Sequence, residues 1–257
     1  MTFLKIIKNI FKFIGLNISR TSKDNYDVWP ESSLNPATVY ENDHGFHKRY
    51  NRLLLKLNMK DTDNPLRRNR HYLLSNLIKI APIEEGHIAE CGCWKGLSSF
   101  IIASELKNKN FKNNFYIFDS FEGLSEFNDF DFRENNKNIE EEKIRKHFSS
   151  NVDVVKANLS EFDKFIYFFK GWIPKRFNEV KDNKFSFVHI DLDLYEPTKE
   201  SLNFFGEKII KGGIILLDDY GSLDFPGAKL ATDNFLKNND SFSFLPLSYG
   251  SAFLIKK

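Results

Sequence analysis

A chain of 257 residues with 41% apolar side chains is long enough to bury a sizeable core, and one α/β domain carrying an extension is the expected division. A formal net charge of only +2 implies no general polyanion partner, and nucleic acid is not expected as one. The two cysteines, Cys91 and Cys93, stand one residue apart and cannot form an ordinary structural disulfide, which points to a reducing, cytoplasmic setting.

Residues 1–20, MTFLKIIKNIFKFIGLNISR, read as a basic amphipathic helix, with Lys5, Lys8 and Lys12 on one face and Phe3, Ile6, Ile7, Ile10, Phe13 and Ile14 on the other. Charges interrupt every apolar run, so neither a transmembrane span nor a signal h-region fits. Such a helix suits peripheral contact with the inner face of an anionic membrane, or packing on its own domain or on a second subunit of a homo-oligomer. Residues 17–36 are polar and carry Trp29-Pro30 and Asn35-Pro36, the pattern of a connecting loop. From Pro36 to Met59 a helical period returns through Phe46, Tyr50, Leu53, Leu54 and Leu57, and a further helix over Leu66 to Ile80 ends near Pro82. The expected division is an extension over 1–64 and an α/β domain over 65–257.

Gly86 to Ser99, GHIAECGCWKGLSS, predicts a short strand ending at Glu90, a turn through Gly92 and Gly96, and a helix opening near Ser98. Glycine allows close backbone approach to a ligand, and the helix amino terminus offers free N–H groups; an ordinary strand-to-helix turn has the same look. The spacing departs from G-x-G-x-x-G and lacks a P-loop Lys-Ser/Thr pair, so dinucleotides and ATP are not favoured. Asn114 to Phe118 predicts a second strand, ending at Asp119, the position from which an acid holds ribose hydroxyls in α/β sheets. Ser120 to Asn138 is too long and polar for a tight connection and reads as a lid. Val152 to Lys156 predicts a third strand, with Asn158 following at the rim beside an adenine position.

Phe185 to Gly221 is the most informative stretch. Its β-branched and aromatic runs, Phe185 to Ile190 and Ile214 to Leu217, end in Asp191 and in Asp218-Asp219, with a helix over Pro197 to Ile210 between them that Gly212-Gly213 should stop. A right-handed crossover makes the two strands parallel, so Asp191, Asp193, Asp218 and Asp219 meet beyond their carboxyl ends. Converging carboxylates repel one another unless a cation sits among them, and all-oxygen ligation suits Mg²⁺, Ca²⁺ or Mn²⁺. A helix over Ala228 to Leu236 and a hairpin, Phe242 to Leu247 with Ser251 to Ile255, close the chain.

Four ordered motifs carry a resemblance. Glu90-Cys91-Gly92-x-Trp94-Lys95-Gly96, Asp119-Ser120-Phe121-Glu122-Gly123-Leu124, His189-Ile190-Asp191-x-Asp193-Leu194-Tyr195-Glu196 and Gly212-Gly213 through Asp218-Asp219-Tyr220 resemble the macrocin O-methyltransferase family. The resemblance implies a Rossmann-like class I methyltransferase fold: a seven-stranded, mostly parallel sheet with helices on both faces, a C-terminal antiparallel hairpin and an N-terminal helical extension. It implies S-adenosylmethionine as cofactor, held by Glu90, Gly92, Gly96 and Ser98 around its methionine part and by Asp119 and Ser120 around its ribose. It also implies Mg²⁺ on Asp191, Asp218 and Asp219, and a small-molecule or glycan acceptor with a sugar hydroxyl. Leu192 stands where the family usually has glycine. Asp191 is the expected proton acceptor, and His189, on the same strand face, is expected to be a buried structural residue. Two other readings stay open: a glycosyltransferase using Asp191-x-Asp193 as a D-x-D metal motif, and a cofactor-binding module without catalysis.

Overall fold

Apolar residues at successive positions of five parallel strands supply side chains to both faces of one sheet. The computed structural model describes residues 40, 43–132, 141–222, 224–247 and 249–257. The amphipathic stretch 1–20, the connection 17–36 and part of the expected lid, 133–140, lie outside the described residues.

The strands are β1 (His87–Cys91), β2 (Phe115–Asp119), β3 (Ile166–Lys170), β4 (Phe185–Ile190), β5 (Ile209–Leu217), β6 (Phe242–Pro246) and β7 (Ala252–Lys256). They form a seven-stranded sheet in the order β3-β2-β1-β4-β5-β7-β6. β3, β2, β1, β4 and β5 are parallel, while β7 runs antiparallel between β5 and β6. The described helices are α1 (His44–Lys56), α2 (Pro65–Ile80), α3 (Leu97–Asn108), α4 (Glu141–His147), α5 (Val152–Leu159), α6 (Tyr195–Lys208) and α7 (Gly227–Lys237).

Strand alternation sorts the core into two layers. Ile88, Phe187, Ile214 and Leu216 face one cluster, which also holds Phe46, Tyr50, Leu53 and Leu54 of α1, Ile78 of α2 and Ile102 of α3. Ala89, Val188, Ile190, Ile215 and Leu217 face the other, where Leu202 and Phe205 of α6 pack. The α1 helix therefore shares the core of the sheet, and Ala37–Lys257 form one compact unit. Asp43 caps α1 by accepting from Phe46 N–H at 2.9 Å, and Asn64 caps α2 by accepting from Arg67 N–H at 2.9 Å, with Pro65 in the first turn.

Two expectations are corrected. Val152–Lys156 is helical: Asn151 accepts from the N–H groups of Asp153 and Val154, which starts α5, and Val155 and Leu159, one turn apart, are its buried pair. The third strand is Ile166–Lys170, an edge strand that carries its aromatic residues beside β2. Nor does Gly212-Gly213 end the preceding helix, which stops at Lys208. The two glycines lie inside β5, where Phe185 pairs with Ile209 but Phe187 with Ile214, so the extra residues bulge and Gly212 takes φ +76°.

Phe205 is fully buried, with the rings of Phe177, Phe185 and Phe204 centred 5.0–5.1 Å from its own. Phe205→Ala is expected to lower the stability measured by urea unfolding by about 3–5 kcal/mol, the cost of a large cavity in a packed core. A loss under about 1 kcal/mol would contradict this packing.

Candidate active site

The parallel register of β4 and β5 determines where the acids emerge. Ile190 pairs with Leu217, and Asp218 N–H donates to Ile190 C=O at 2.9 Å, so Asp191 and Asp218 leave the sheet side by side. One oxygen from each of Asp191, Asp218 and Asp219 lies within 4.8 Å of the others. Asp193 N–H donates to Asp219 Oδ2 at 2.9 Å, and Asp193 itself takes φ +60°. Arg70, from α2, reaches the cluster and places Nη1 2.9 Å from Asp218 Oδ2.

The three carboxylates do not share one electrostatic state. Burial, and then the charge of Asp218, push Asp191 up to about 8. Burial, followed by Asp191 and Asp218, raises Asp219 well above the usual carboxylate range. Burial acts on Asp218 in the same direction, but Arg70 and then His189 overcome it and hold that carboxyl well below the usual range. With one guanidinium against three carboxylates, the ionised cluster carries an excess of negative charge that a divalent cation would neutralise. The donor set is all carboxylate oxygen, so these residues fit a hard cation such as Mg²⁺.

The cluster opens into a cleft of about 1160 Å³ beyond the carboxyl ends of β1, β2, β3 and β4. Gly92 and Gly96 line the turn after β1 with φ +85° and +84°. A Cβ on Gly92 would stand 1.9 Å from Asp191 C=O, so no other residue lets the two turns meet. Asp119 ends β2 with its carboxylate turned back on these turns: Cys93 and Trp94 N–H donate to Oδ2 at 2.7 and 3.0 Å, and Phe121 N–H to Oδ1 at 2.6 Å. Ser98 and Ser120 also line the cleft, and Ser120 Oγ donates to Gly123 C=O at 2.9 Å. The lid stretch contributes Leu124, Ser125 and Glu126, and is tied to α6 where Tyr195 N–H donates to Asp131 Oδ1 at 2.7 Å.

The family profile of the macrocin-O-methyltransferases (TylF) matches residues 69–243, well over half of the chain and every residue described so far at the acid cluster. The chain belongs to the macrocin O-methyltransferase family. Two curated proteins are similar to this chain over part of its length. The 8-demethyl-8-(2,3-dimethoxy-alpha-L-rhamnosyl)-tetracenomycin-C 4'-O-methyltransferase of Streptomyces olivaceus is 25% identical over 144 residues, 52% of this chain and 53% of that protein. The demethyldecarbamoylnovobiocin O-methyltransferase of Streptomyces niveus is 24% identical over 161 residues, 58% of each chain. The chain thus spans little more than half the length of these relatives. Among solved structures, the O-methyltransferase NovP superposes with a TM-score of 0.61 at 19% identity, covering 73% of this chain and 79% of its own. The calicheamicin methyltransferase CalS11 does so with a TM-score of 0.58 at 20% identity, covering 93% and 99%. The macrocin O-methyltransferase family member therefore has the Rossmann-like class I methyltransferase fold.

Within this family member, three expected site residues stand outside the cleft lining, Gly96 among them, where an added Cβ would stand 3.1 Å from the Val155 side chain on α5. Glu90 is 0% exposed and does not line the cleft: Oε2 accepts from Ser99 Oγ and Oε1 from His189 Nδ1–H at 3.0 Å. An acid at a strand end reads from sequence as a group facing a ligand, yet here two polar partners hold it inside. Asn158 lies on α5 rather than after a strand; its C=O accepts from Lys56 Nζ at 2.9 Å, and it lines no part of the cleft. His189 is 1% exposed and buried, as expected. Burial would lower its pKa, but the carboxylates of Asp218, 3.8 Å from Nε2, and of Glu90, hydrogen-bonded to Nδ1, raise it to about 10, so the ring is an imidazolium between two carboxylates.

Three cleft groups escaped sequence reading. Arg70 carried no motif, because its partner is 148 residues away. His71, whose Nδ1 is 2.9 Å from the Tyr50 hydroxyl, is lowered to about 3 by burial and is neutral. Trp172 and its neighbours Gly171, Ile173 and Pro174 line the cleft just past β3, a place that a third strand at Val152–Lys156 does not predict. The signal for them was present in the aromatic run Tyr167-Phe168-Phe169.

Asp191 is raised above its unfolded value of about 3.9, so the folded chain keeps its proton over a wider range. Its contribution is favourable at low pH and is lost as pH rises from about 4 to about 8. At pH 8 without divalent cations, Asp191→Asn is expected to raise stability by about 1 kcal/mol or more and to flatten this decline. Asp218→Asn should instead cost about 3 kcal/mol, because Arg70 and His189 lose their charged partner. Urea unfolding across pH checks both signs.

Proposed function

We infer that this protein is an S-adenosylmethionine-dependent O-methyltransferase acting on a sugar hydroxyl of a glycoside, a sugar nucleotide or a polysaccharide or natural-product precursor. The observation that carries the reading is the meeting of the β1 glycine turn, Asp119 and the acid cluster in one cleft of a macrocin O-methyltransferase family member. Both curated relatives are named as O-methyltransferases, one of them for a rhamnosyl 4'-position.

In this reading the N–H groups at the start of α3, beside Gly96 and Ser98, receive the methionine carboxylate. Asp119 uses the lone pairs left over by its three backbone donors to accept from the ribose hydroxyls. Trp172, 37% exposed beside the end of β2, offers a ring face to the adenine. Glu90 acts from beneath, holding His189 and the first turn of α3 in place. S-adenosylmethionine held there would supply an electrophilic methyl group for one in-line transfer to the acceptor oxygen, its sulfur leaving as the neutral thioether and the hydroxyl proton passing to a base. Asp191, at the end of β4 in the acid cluster, is the carboxylate placed to take that proton once it is ionised. A divalent cation such as Mg²⁺, held by Asp191, Asp218 and Asp219, would supply Lewis acidity toward the hydroxyl. A D-x-D glycosyltransferase would leave Asp218, Asp219 and the glycine turn without a task.

The proposal extends to a cytoplasmic enzyme that touches an anionic membrane surface through residues 1–20. Among the described residues no helix is long and apolar enough to cross a membrane. Sedimentation with anionic liposomes that disappears when residues 1–20 are deleted is the expected result, and an intact chain that stays in the supernatant would refute the contact.

Calorimetric titration with S-adenosylmethionine, with and without Mg²⁺, tests the cofactor half. Micromolar binding is expected, weakened roughly tenfold or more, about 1.4 kcal/mol, by Asp119→Ala. The absence of binding under every condition would remove the methyltransferase reading.

A further inference from the structure

Beneath the cleft floor, four side chains stand in single file across the sheet. Ser99, in the first turn of α3, donates to Glu90 Oε2; Glu90 Oε1 accepts from His189 Nδ1–H at 3.0 Å; and His189 Nε2 lies 3.8 Å from Asp218 Oδ1, its hydrogen-bonding capacity otherwise unused. Ser99, Glu90, His189 and Asp218 are all buried. The file starts one residue from Ser98, which lines the cleft beside the glycine turn, and ends on a carboxylate of the acid cluster. A backbone link runs parallel to it. Asp191 N–H donates to Cys91 C=O at 2.9 Å, and Gly92 packs against Asp191 C=O so closely that a Cβ would not fit between them.

We propose that His189 is a positioning residue that ties Asp218 to the cofactor turn through Glu90 and Ser99, so that an S-adenosyl ligand and a divalent cation bind with positive coupling. The inference rests on the methyltransferase reading above. A ligand that orders the Ser98-Ser99 turn removes freedom from Glu90, hence from His189 and Asp218, and the cation then meets a carboxylate already in place. Linkage makes the effect reciprocal, so the cation tightens the cofactor by the same factor.

Mn²⁺ binding, followed by electron paramagnetic resonance with and without saturating S-adenosylhomocysteine, tests it. The neutral sulfur of that probe adds no charge beside the cation. The wild-type affinity for Mn²⁺ is expected to rise about fivefold or more when the probe is bound. Without the probe, His189→Asn, whose amide reaches Glu90 but not Asp218, should lose about tenfold in Mn²⁺ affinity, and His189→Gln, which reaches toward Asp218, should recover most of it. Ser99→Ala alters neither the cation's ligands nor His189, and should bring the coupling ratio close to one. It keeps the test decisive if the histidine variants fail to fold in a thermal melt. A wild-type ratio of one, or an undiminished ratio in folded Ser99→Ala, overturns the proposal while leaving the methyltransferase reading intact. A wild-type protein that binds no S-adenosylhomocysteine removes both.

Discussion

Bringing three carboxylates to one point is the costliest demand on this fold, and much of the surrounding structure answers it. Parallel pairing of β4 with β5 makes the convergence unavoidable, since Asp191 and Asp218 follow paired residues. The protein offsets only part of the repulsion. Arg70 and the His189 imidazolium both act on Asp218, which stays ionised, while Asp191 and Asp219 are pushed toward their protonated forms. Protonation of Asp191 and Asp219 thus relieves the rest of the repulsion in the folded chain.

The cofactor side solves the opposite problem, a surplus of donors. The turn after β1 exposes backbone N–H groups, and Asp119 gathers two of them, with a third from its own turn, onto one carboxylate. Burial raises the Asp119 pKa, and these backbone hydrogen bonds act against that rise. Asp119 is thus a structural clamp between the turn after β1 and the end of β2. Glu90 shows the alternative outcome for a strand-end acid: fully enclosed, it serves the site through His189 and Ser99.

Legibility in the sequence followed the range of the forces involved. β4, β5, their acids and the class of fold were readable, because hydrophobic runs bounded by acids and glycines are local patterns. Val152–Lys156 was not, since a five-residue apolar run suits strand and helix alike; the deciding signal was the cap at Asn151. Gly212-Gly213 read as a helix stop although a strand bulge uses glycine for the same backbone freedom. Arg70, His71 and the enclosure of Glu90 had no local signature at all. Each depends on a partner brought from far along the chain, such as His189, 99 residues from Glu90.

The place of β7 sets an order of events during synthesis. It pairs along Ile214 to Leu217 of β5, directly before Asp218 and Asp219, with residues Ala252 to Ile255. A growing chain on the ribosome therefore completes β5 well before the strand that covers its free edge has been made. Until β7 arrives, the strand that carries two of the three acids has an open edge, prone to pairing with a neighbouring chain. A nascent chain stalled before β7 could already pair β4 with β5, yet it would present the outer edge of β5 to any neighbour.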